Sequence, residues 1–250
     1  MPEIHSQDLY SVLEPTPTGA TSVEVLPGEI EGLRTISHAV APGASVALET
    51  TAETGRVYLF TAGEGKACDG RSQQIDEVAL WAPRHNTPSS ITASATPLRF
   101  LELVIDLSPT DLLELEQNAH LFPLFVSYSN CRTYREQIKS DKTISRTLLR
   151  EHTFPRLCVG SVQTHGDDRV APHEHPMLEQ LFLGLQDNHC EVQADAASMA
   201  FGADVLLHIP LGSRHGVTVQ APDTLHYIWI DLFRNKEGMQ WIVQEHIHES

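Results

Sequence analysis

Short apolar runs separated by polar and turn-forming residues fill the chain from Val23 to Ile105. Two examples are Arg56–Phe60 and Val78–Trp81, which contain β-branched and aromatic side chains and are followed within a few residues by Gly or Pro. Runs of this length and composition are typical of strands in an all-β sandwich or barrel. The pattern therefore predicts that the first part of the chain is built from β-strands.

The pattern changes after residue 107. Ser108 is a suitable helix N-cap, Pro109 fits the first helical position, and Asp111 places an acid in the first turn. These residues predict a short helix that ends near His120. The following segment, up to Arg150, is more polar, and we interpret it as a connector.

The β pattern returns with Leu157–Val162 and continues through Leu178–Leu183 and His226–Asp231. The same order of elements in both halves suggests an old internal duplication. The sequence therefore predicts an all-β protein with two barrels. Its predicted parts are an N-terminal arm (1–21), a first barrel (22–107), a helical linker (108–155), a second barrel (156–234) and a C-terminal tail with a short helix (235–250).

Composition narrows the possible partners. The 250 residues include 33 acidic and 17 basic side chains, a formal net charge of −16. An acidic surface repels phosphates, so we expect neither nucleic acid nor an anionic membrane as the main partner. Hydrophobic residues make up 41% of the chain, too many for an acidic disordered protein.

Other features concern the compartment. No apolar run is long enough to cross a bilayer, and the first residues lack the basic and apolar regions of a secretory signal. The four cysteines are far apart and form no CxxC motif, which is typical of reduced thiols in a cytoplasmic protein. We therefore expect a cytoplasmic protein.

Histidine is the unusual residue type, with 14 copies. His173 and His175 are two residues apart, so on a strand they point to the same face. Glu179 follows and can add a carboxylate, and the turn Pro210–Ser213 brings His215 to the start of a returning strand. Three imidazoles and one carboxylate suit Mn, Fe, Co, Ni or Zn. The sequence therefore predicts one divalent transition metal bound by His173, His175, Glu179 and His215.

The spacing HxHxxxE followed by PxGxxH resembles the two metal-binding motifs of the cupin superfamily. This resemblance implies that the four residues bind the metal inside a small antiparallel jelly-roll barrel. The corresponding segments of the first half are Glu49–Gly55 and Pro83–Pro88, in which only His85 could be a ligand. We therefore expect the first barrel to be free of metal.

Further candidates surround the predicted ligands. Gln180, next to Glu179, should face outward on a regular strand. Tyr227 and Asp231 alternate with residues of the opposite face, and the sequence does not decide which set faces inward. If their set does, Tyr227 and Asp231 are candidates for proton transfer. Arg214 could hold an anionic substrate.

A metal with three histidines, one glutamate and open positions permits several functions. It can support isomerisation of a hydroxy-carbonyl substrate through an enediol or enediolate, attack of dioxygen on an enolisable substrate, or binding of a small ligand without catalysis. Fold alone does not choose among them.

A finer resemblance favours the first function. The order of a metal-free barrel, a linker with Asn130–Tyr134 and a metal-bearing barrel closing with Tyr227–Trp229 is similar to the sugar-acid ketol-isomerases, as is the segment Glu53–Phe60. The resemblance implies a metal-dependent isomerase acting on a small anionic sugar acid. Arg214, Arg169 and Arg132 would form a basic rim that attracts it. A homodimer is also expected, since such barrels leave sheet edges to cover.

Overall fold

The computed structural model describes residues 3–11, 13, 18–136, 139–175, 177–235 and 237–239. The chain divides into two compact units. One spans Leu9–Cys131, and the other combines Met1–Asp8 with Arg132–Ser250. We call them the first barrel and the second barrel. Most of the tail predicted over 235–250 lies outside the described residues. Within those residues, no helix has the length and apolar character needed to span a membrane.

The first strand of the chain, β1 (His5–Asp8), belongs to the second barrel, where it pairs with residues 205–208. The first barrel then follows, and its strands in the described part of the chain are β2 (Ala20–Val25), β3 (Leu33–Val40), β4 (Ser45–Leu48), β5 (Thr54–Ala62), β6 (Gly65–Cys68), β7 (Ser72–Ile75), β8 (Ala79–Ala82), β9 (Ser89–Ala93), β10 (Leu98–Asp106) and β11 (Leu124–Ser127). They form two antiparallel sheets with the orders β11-β8-β5-β10-β3-β2 and β4-β9-β6-β7.

The helix predicted after residue 107 is present as α1 (Pro109–Gln117). Ser108 caps it through a reciprocal pair of hydrogen bonds: the Asp111 N–H donates to the Ser108 hydroxyl at 3.2 Å, and the Ser108 N–H donates to the Asp111 carboxylate at 2.9 Å. The helix ends before His120, and short 3₁₀ turns follow at Ala119–Leu121 and Tyr128–Asn130.

The second barrel repeats the arrangement of the first. Its remaining strands in the described residues are β12 (Arg132–Tyr134), β13 (Ile144–Phe154), β14 (Leu157–His165), β15 (Asp168–His173), β16 (Leu178–Gly184), β17 (His189–Ala194), β18 (Ala197–Gly202), β19 (Val205–Ile209), β20 (His215–Val219) and β21 (Thr224–Phe233). The two antiparallel sheets have the orders β1-β19-β16-β21-β14-β13-β12 and β15-β20-β17-β18.

The segments predicted as arm and linker contribute strands. The arm supplies β1, and the linker supplies β11 to the first barrel and β12 and β13 to the second. Strand β13 illustrates why polarity was misleading: Arg150 is exposed, whereas Leu148 and Leu149 are buried. An antiparallel sheet can face water on one side, so polar residues do not exclude a strand.

The interiors of the two barrels differ in how they are filled. Tyr58, Phe60, Trp81 and Phe100 are at most 1% exposed and occupy the interior of the first barrel. The second barrel has a similar apolar cluster around Phe182, but it also contains a cavity. That cavity holds the candidate site.

Candidate metal centre

Three histidines converge at one end of the second barrel. His173 closes β15 and is paired in register with His215, which opens β20, and His175 follows two residues later. One ring nitrogen from each of the three lies within 4.8 Å of the others. The structure therefore brings together three of the four predicted metal ligands. Metal binding itself stays a prediction.

Hydrogen bonds orient two of these rings for metal binding. Nδ1 of His173 lies 2.8 Å from the carbonyl oxygen of Ala171, and Nδ1 of His215 lies 3.1 Å from that of Ser213. A carbonyl only accepts, so each ring carries its proton on Nδ1 and its lone pair on Nε2. Among the described residues, nothing forms a hydrogen bond with the buried Nε2 of His215. Metal-binding histidines show this arrangement, so His173 and His215 fit a divalent metal, and His175 lies close enough to join them.

The protonation state of His215 also fits metal binding. Burial, and then the neighbouring His173, lower the pKa of His215 to about 4. The imidazole is therefore neutral at pH 7, and metal ligation requires the neutral ring.

Glu179 lies outside the histidine cluster, which departs from the predicted ligand set. Arg234 donates to its Oε1 from Nη2 at 2.6 Å and from Nε at 3.1 Å, and Nε2 of His208 lies 3.3 Å from its Oε2. Burial alone would raise the pKa of Glu179, but the hydrogen bonds and charges of His208 and Arg234 lower it. Both carboxylate oxygens thus have partners other than His173, His175 and His215.

The physical reason is strand alternation on β16. Gln180 and Phe182 are two residues apart on this strand and both line the cavity. Glu179 is adjacent to Gln180, so its side chain points to the other face of the sheet. The sequence placed Gln180 outward, and the structure reverses that expectation. Strand β15 ends at His173 and β16 begins at Leu178, and alternation cannot be counted from one strand to the next.

The cavity beside the histidines has a volume of about 250 Å³. Much of its wall is apolar, formed by Val162, Val170, Phe182, Trp229 and Phe233. The polar side chains of the wall include Tyr134, Glu136, Lys139, Gln180 and Asp231. A small polar ligand would therefore meet both apolar surface and a few hydrogen-bonding groups, as is usual in binding sites.

The two predicted proton-transfer candidates both face this cavity. Gln180 donates from Nε2 to Oδ1 of Asp231 at 2.7 Å. Burial raises the pKa of Asp231 to about 7, although the Gln180 hydrogen bond opposes the shift. Tyr227 is 2% exposed, its ring centroid lies 4.5 Å from that of Phe182, and burial raises its pKa well above the ordinary value.

The predicted basic rim is not part of the cavity. Arg214, Arg169 and Arg132 are exposed and do not line it, and the backbone N–H of Arg214 donates to Asp195 at 3.0 Å. Arg214 directly precedes His215, and adjacent residues of an extended chain point to opposite sides, so Arg214 points to solvent while His215 points inward.

Among the described residues, Lys139 is the cation that lines the cavity. Its Nζ donates to Oε1 of Glu136 at 2.6 Å and to the Ser145 hydroxyl at 3.2 Å, and its side chain is only 7% exposed. Sequence reasoning missed this pair because no motif marks it and because residues 108–155 were interpreted as a linker.

Comparison with known proteins supports the fold. No protein-family model matches the chain, and no curated protein matches it. Solved structures do: a Cupin 2 conserved barrel domain protein from Leptotrichia buccalis has a TM-score of 0.64 and 14% identity, with 92% of this chain and 96% of that chain covered. The formate complex of Lactobacillus farciminis oxalate decarboxylase has a TM-score of 0.68 and 15% identity, covering 98% and 94%.

A deletion mutant of Bacillus subtilis oxalate decarboxylase is a third match, with a TM-score of 0.65 and 17% identity over 92% of this chain and 76% of that one. The chain has a two-barrel cupin fold. Identities of 14–17% carry the fold alone, so the chemistry of this cupin-fold protein must be argued from its own residues.

Proposed function

We propose that the second barrel is a metal-dependent isomerase that moves a proton within a small hydroxy-carbonyl compound, such as a sugar acid, through an enediol or enediolate. One observation carries this proposal: His173 and His175, which converge with His215, line the same cavity as the buried carboxylate of Asp231. The resemblance to sugar-acid ketol-isomerases, which is an expectation from the sequence alone, implies the same reaction class.

His173, His175 and His215 would hold the metal. A divalent ion there would polarise the adjacent carbonyl and hydroxyl oxygens of a substrate, which acidifies the carbon-bound proton between them. The cavity of about 250 Å³ lies just below the usual range for ligand pockets, which favours a substrate of a few carbons.

Asp231 is the proposed acid and base. Gln180 holds Oδ1 of its carboxylate, and the carboxylate can accept a proton from one substrate carbon and return it to the neighbouring carbon. The apolar wall, including Phe182 and Trp229, limits the water that could compete for that proton. Lys139, which is paired with Glu136, lines the same cavity and can donate a hydrogen bond where negative charge develops on the substrate oxygens.

A second candidate is a metal-dependent dioxygenase of an enolisable substrate. The observation that favours it is the largely apolar wall of Val162, Val170, Phe182 and Trp229 beside the histidines. Dioxygen is apolar, and such a wall also excludes water from reactive intermediates.

The first experiment measures the metal content of the purified protein by inductively coupled plasma mass spectrometry. We expect about one divalent transition metal per chain, lost in His175→Ala and retained in the control His189→Ala. His189 is an exposed histidine that pairs with Asp223 at 2.9 Å and does not line the cavity. A wild-type protein that binds no added Mn²⁺, Fe²⁺, Co²⁺, Ni²⁺ or Zn²⁺ overturns the proposal.

The second experiment follows uronates and small keto-sugars by NMR in D₂O, with oxalate included because two matched structures are oxalate decarboxylases. The isomerase predicts deuterium at the carbon next to the carbonyl and loss of this exchange in Asp231→Asn. Consumption of dioxygen without exchange would favour the dioxygenase. Release of CO₂ from oxalate, again without exchange, would replace both reactions by a decarboxylation.

A further inference from the structure

Gln180 carries a buried oxygen without a hydrogen bond. The residue is 6% exposed, and its Oε1 has no hydrogen-bond partner in the described part of the chain. Its Nε2, in contrast, donates to Asp231 at 2.7 Å. Buried polar atoms are nearly always satisfied, so an unsatisfied one calls for a missing partner.

The strand face that carries Gln180 borders the histidines. Gln180 and Phe182 are two residues apart on β16 and both line the cavity. The ring centroid of Phe182 lies 6.0 Å from that of His215, so this face of β16 is next to the histidine cluster. His173 and His175 line the same cavity.

Asp231 fixes which end of the amide is available. A carboxylate oxygen accepts a hydrogen bond, so the amide nitrogen of Gln180 must face Asp231 and the amide oxygen must face away from it. Amide and carbonyl oxygens are suitable ligands for hard divalent cations. Imidazole nitrogens bind divalent transition metals, so one ion can have both kinds of ligand.

We propose that the amide oxygen of Gln180 is the fourth protein ligand of the metal, in the place that the sequence motif assigns to Glu179. This inference rests on the metal binding of the proposed function. Glu179 is excluded by its own contacts, because Arg234 holds Oε1 and His208 lies beside Oε2. Asp231 then supports the ligand from behind, as carboxylates support metal-binding histidines elsewhere.

The ligand set has a consequence for charge. Three neutral imidazoles and a neutral amide leave the metal with its full double positive charge, whereas a glutamate would cancel half of it. A glutamate at position 180 should therefore bind the metal more tightly, and an apolar residue there more weakly. Removing the charge at position 179 should matter little.

The test compares neighbouring variants by metal affinity, with no dependence on turnover. Dissociation constants for Co²⁺ and Mn²⁺ are measured by competition with a chelator, and the visible absorption of the Co²⁺ form reports the ligand set. We expect Gln180→Leu to weaken binding at least about tenfold and to change the Co²⁺ spectrum. Gln180→Glu keeps an oxygen at this position and adds a negative charge, so it should bind the metal more tightly than the wild type, although the nearby carboxylate of Asp231 opposes part of the gain. Glu179→Gln should bind within about twofold of the wild type.

Two controls keep the test decisive. Thermal unfolding of the metal-free variants shows that each is folded, and Gln180→Glu preserves the shape of the side chain if Gln180→Leu does not fold. Asp231→Asn should bind metal within about threefold of the wild type, because the asparagine oxygen can still accept the hydrogen bond from Nε2 of Gln180 and so keeps the ligand oriented.

Some outcomes would overturn the inference. One is loss of affinity in Glu179→Gln with normal affinity in both Gln180 variants, which returns the role to Glu179. Another is an equal loss in Asp231→Asn and Gln180→Leu, which assigns the effect to Asp231. A wild-type protein that binds neither ion defeats the proposed function itself, so the two failures can be told apart.

Discussion

The two barrels have a carboxylate at corresponding positions, but its pKa is lowered in the first barrel and raised in the second. In the first barrel Tyr58 on β5 pairs with Glu102 on β10, and in the second Gln180 on β16 pairs with Asp231 on β21. Two residues further along these strands, Phe60 pairs with Phe100 and Phe182 pairs with Trp229. The strand orders of the sheets correspond as well, so these positions are comparable.

Partners decide the charge of each carboxylate. Burial alone would raise the pKa of Glu102, but His38 at 2.8 Å and the ion pair with Arg56 lower it. Asp231 has a neutral amide as its hydrogen-bond partner, and burial raises its pKa to about 7. At corresponding positions of the fold, Glu102 therefore stays negatively charged near neutral pH, whereas Asp231 can gain or lose a proton there.

The two barrels also differ at the strand pair β4–β9 of the first barrel and the corresponding pair β15–β20 of the second, which we call the rim. Leu48 pairs with Ser89 where β4 meets β9, and His173 pairs with His215 where β15 meets β20. The first barrel therefore carries an apolar residue and a serine at the positions where the second carries two imidazoles. The same strand framework thus carries different side chains at corresponding positions of the two barrels.

The largest expected effect comes from neutralising the two carboxylates. Glu102→Gln leaves Arg56, whose side chain is 10% exposed, without its buried partner, and we expect a loss of about 3 kcal/mol in the free energy of unfolding. This is the lower end of the range for broken buried ion pairs, because exposed Glu49 remains 3.6 Å from Arg56. Urea unfolding measures the loss.

The matched substitution in the second barrel is Asp231→Asn, in which the Gln180 hydrogen bond is kept. We expect it to change the free energy of unfolding by less than about 1 kcal/mol. Similar losses in both variants would show that the two carboxylates are equivalent, contrary to the comparison.

The next effect concerns the rim. His215→Ser copies the residue of the first barrel into the second, and we expect metal affinity to fall at least about 100-fold, since changes beside a ligand already cost 10- to 100-fold. Chelator competition measures the affinity. Ser89→Ala is the control, because Ser89 bonds to the carbonyl of Thr87 in the other barrel and should leave metal binding unchanged.

A smaller effect tests how each barrel makes room for its aromatic residue. His38 stacks on Phe100 with ring centroids 4.6 Å apart, whereas the corresponding pair in the second barrel is Gly160 and Trp229. A Cβ at Gly160 would lie 2.2 Å from the Trp229 ring, so we expect Gly160→Ala to cost about 1–3 kcal/mol in urea unfolding.

Gly202→Ala provides the comparison, because a Cβ there has nothing within 4 Å. It should change the free energy of unfolding by less than about 0.5 kcal/mol. If both alanine variants were equally stable, the close approach of Trp229 would not limit this position.

The smallest effect is expected in acid. The pKa of Glu102 is lowered in the folded state, so its stabilisation is present above its ordinary value of 4.5 and is lost as the pH falls through the lower folded value. The stability difference between the wild type and Glu102→Gln should therefore be constant from pH 7 to about 5 and should shrink below pH 4.5. A difference that stays constant down to pH 3 would contradict the role of the charge.

The sequence by itself determined the β-rich halves, the helix at Ser108 and the histidines that meet at the rim. Period-two alternation and turn residues are local signals, and His173 and His215 adjoin strands whose pattern is clear. The sequence predicted a linker where β12 and β13 are found, because a strand with one face exposed to solvent has a polar sequence like that of a linker.

Only the tertiary structure decided which side chains share the cavity. Whether Glu179 or Gln180 faces inward depends on the pairing of β16 with β19 and β21, and this pairing cannot be counted along the sequence from the end of β15 at His173. Lys139 and Glu136 reach the cavity from a segment that carries no motif. The charge of Asp231 follows from burial and from a partner 51 residues away, and such terms exist only once the chain is folded.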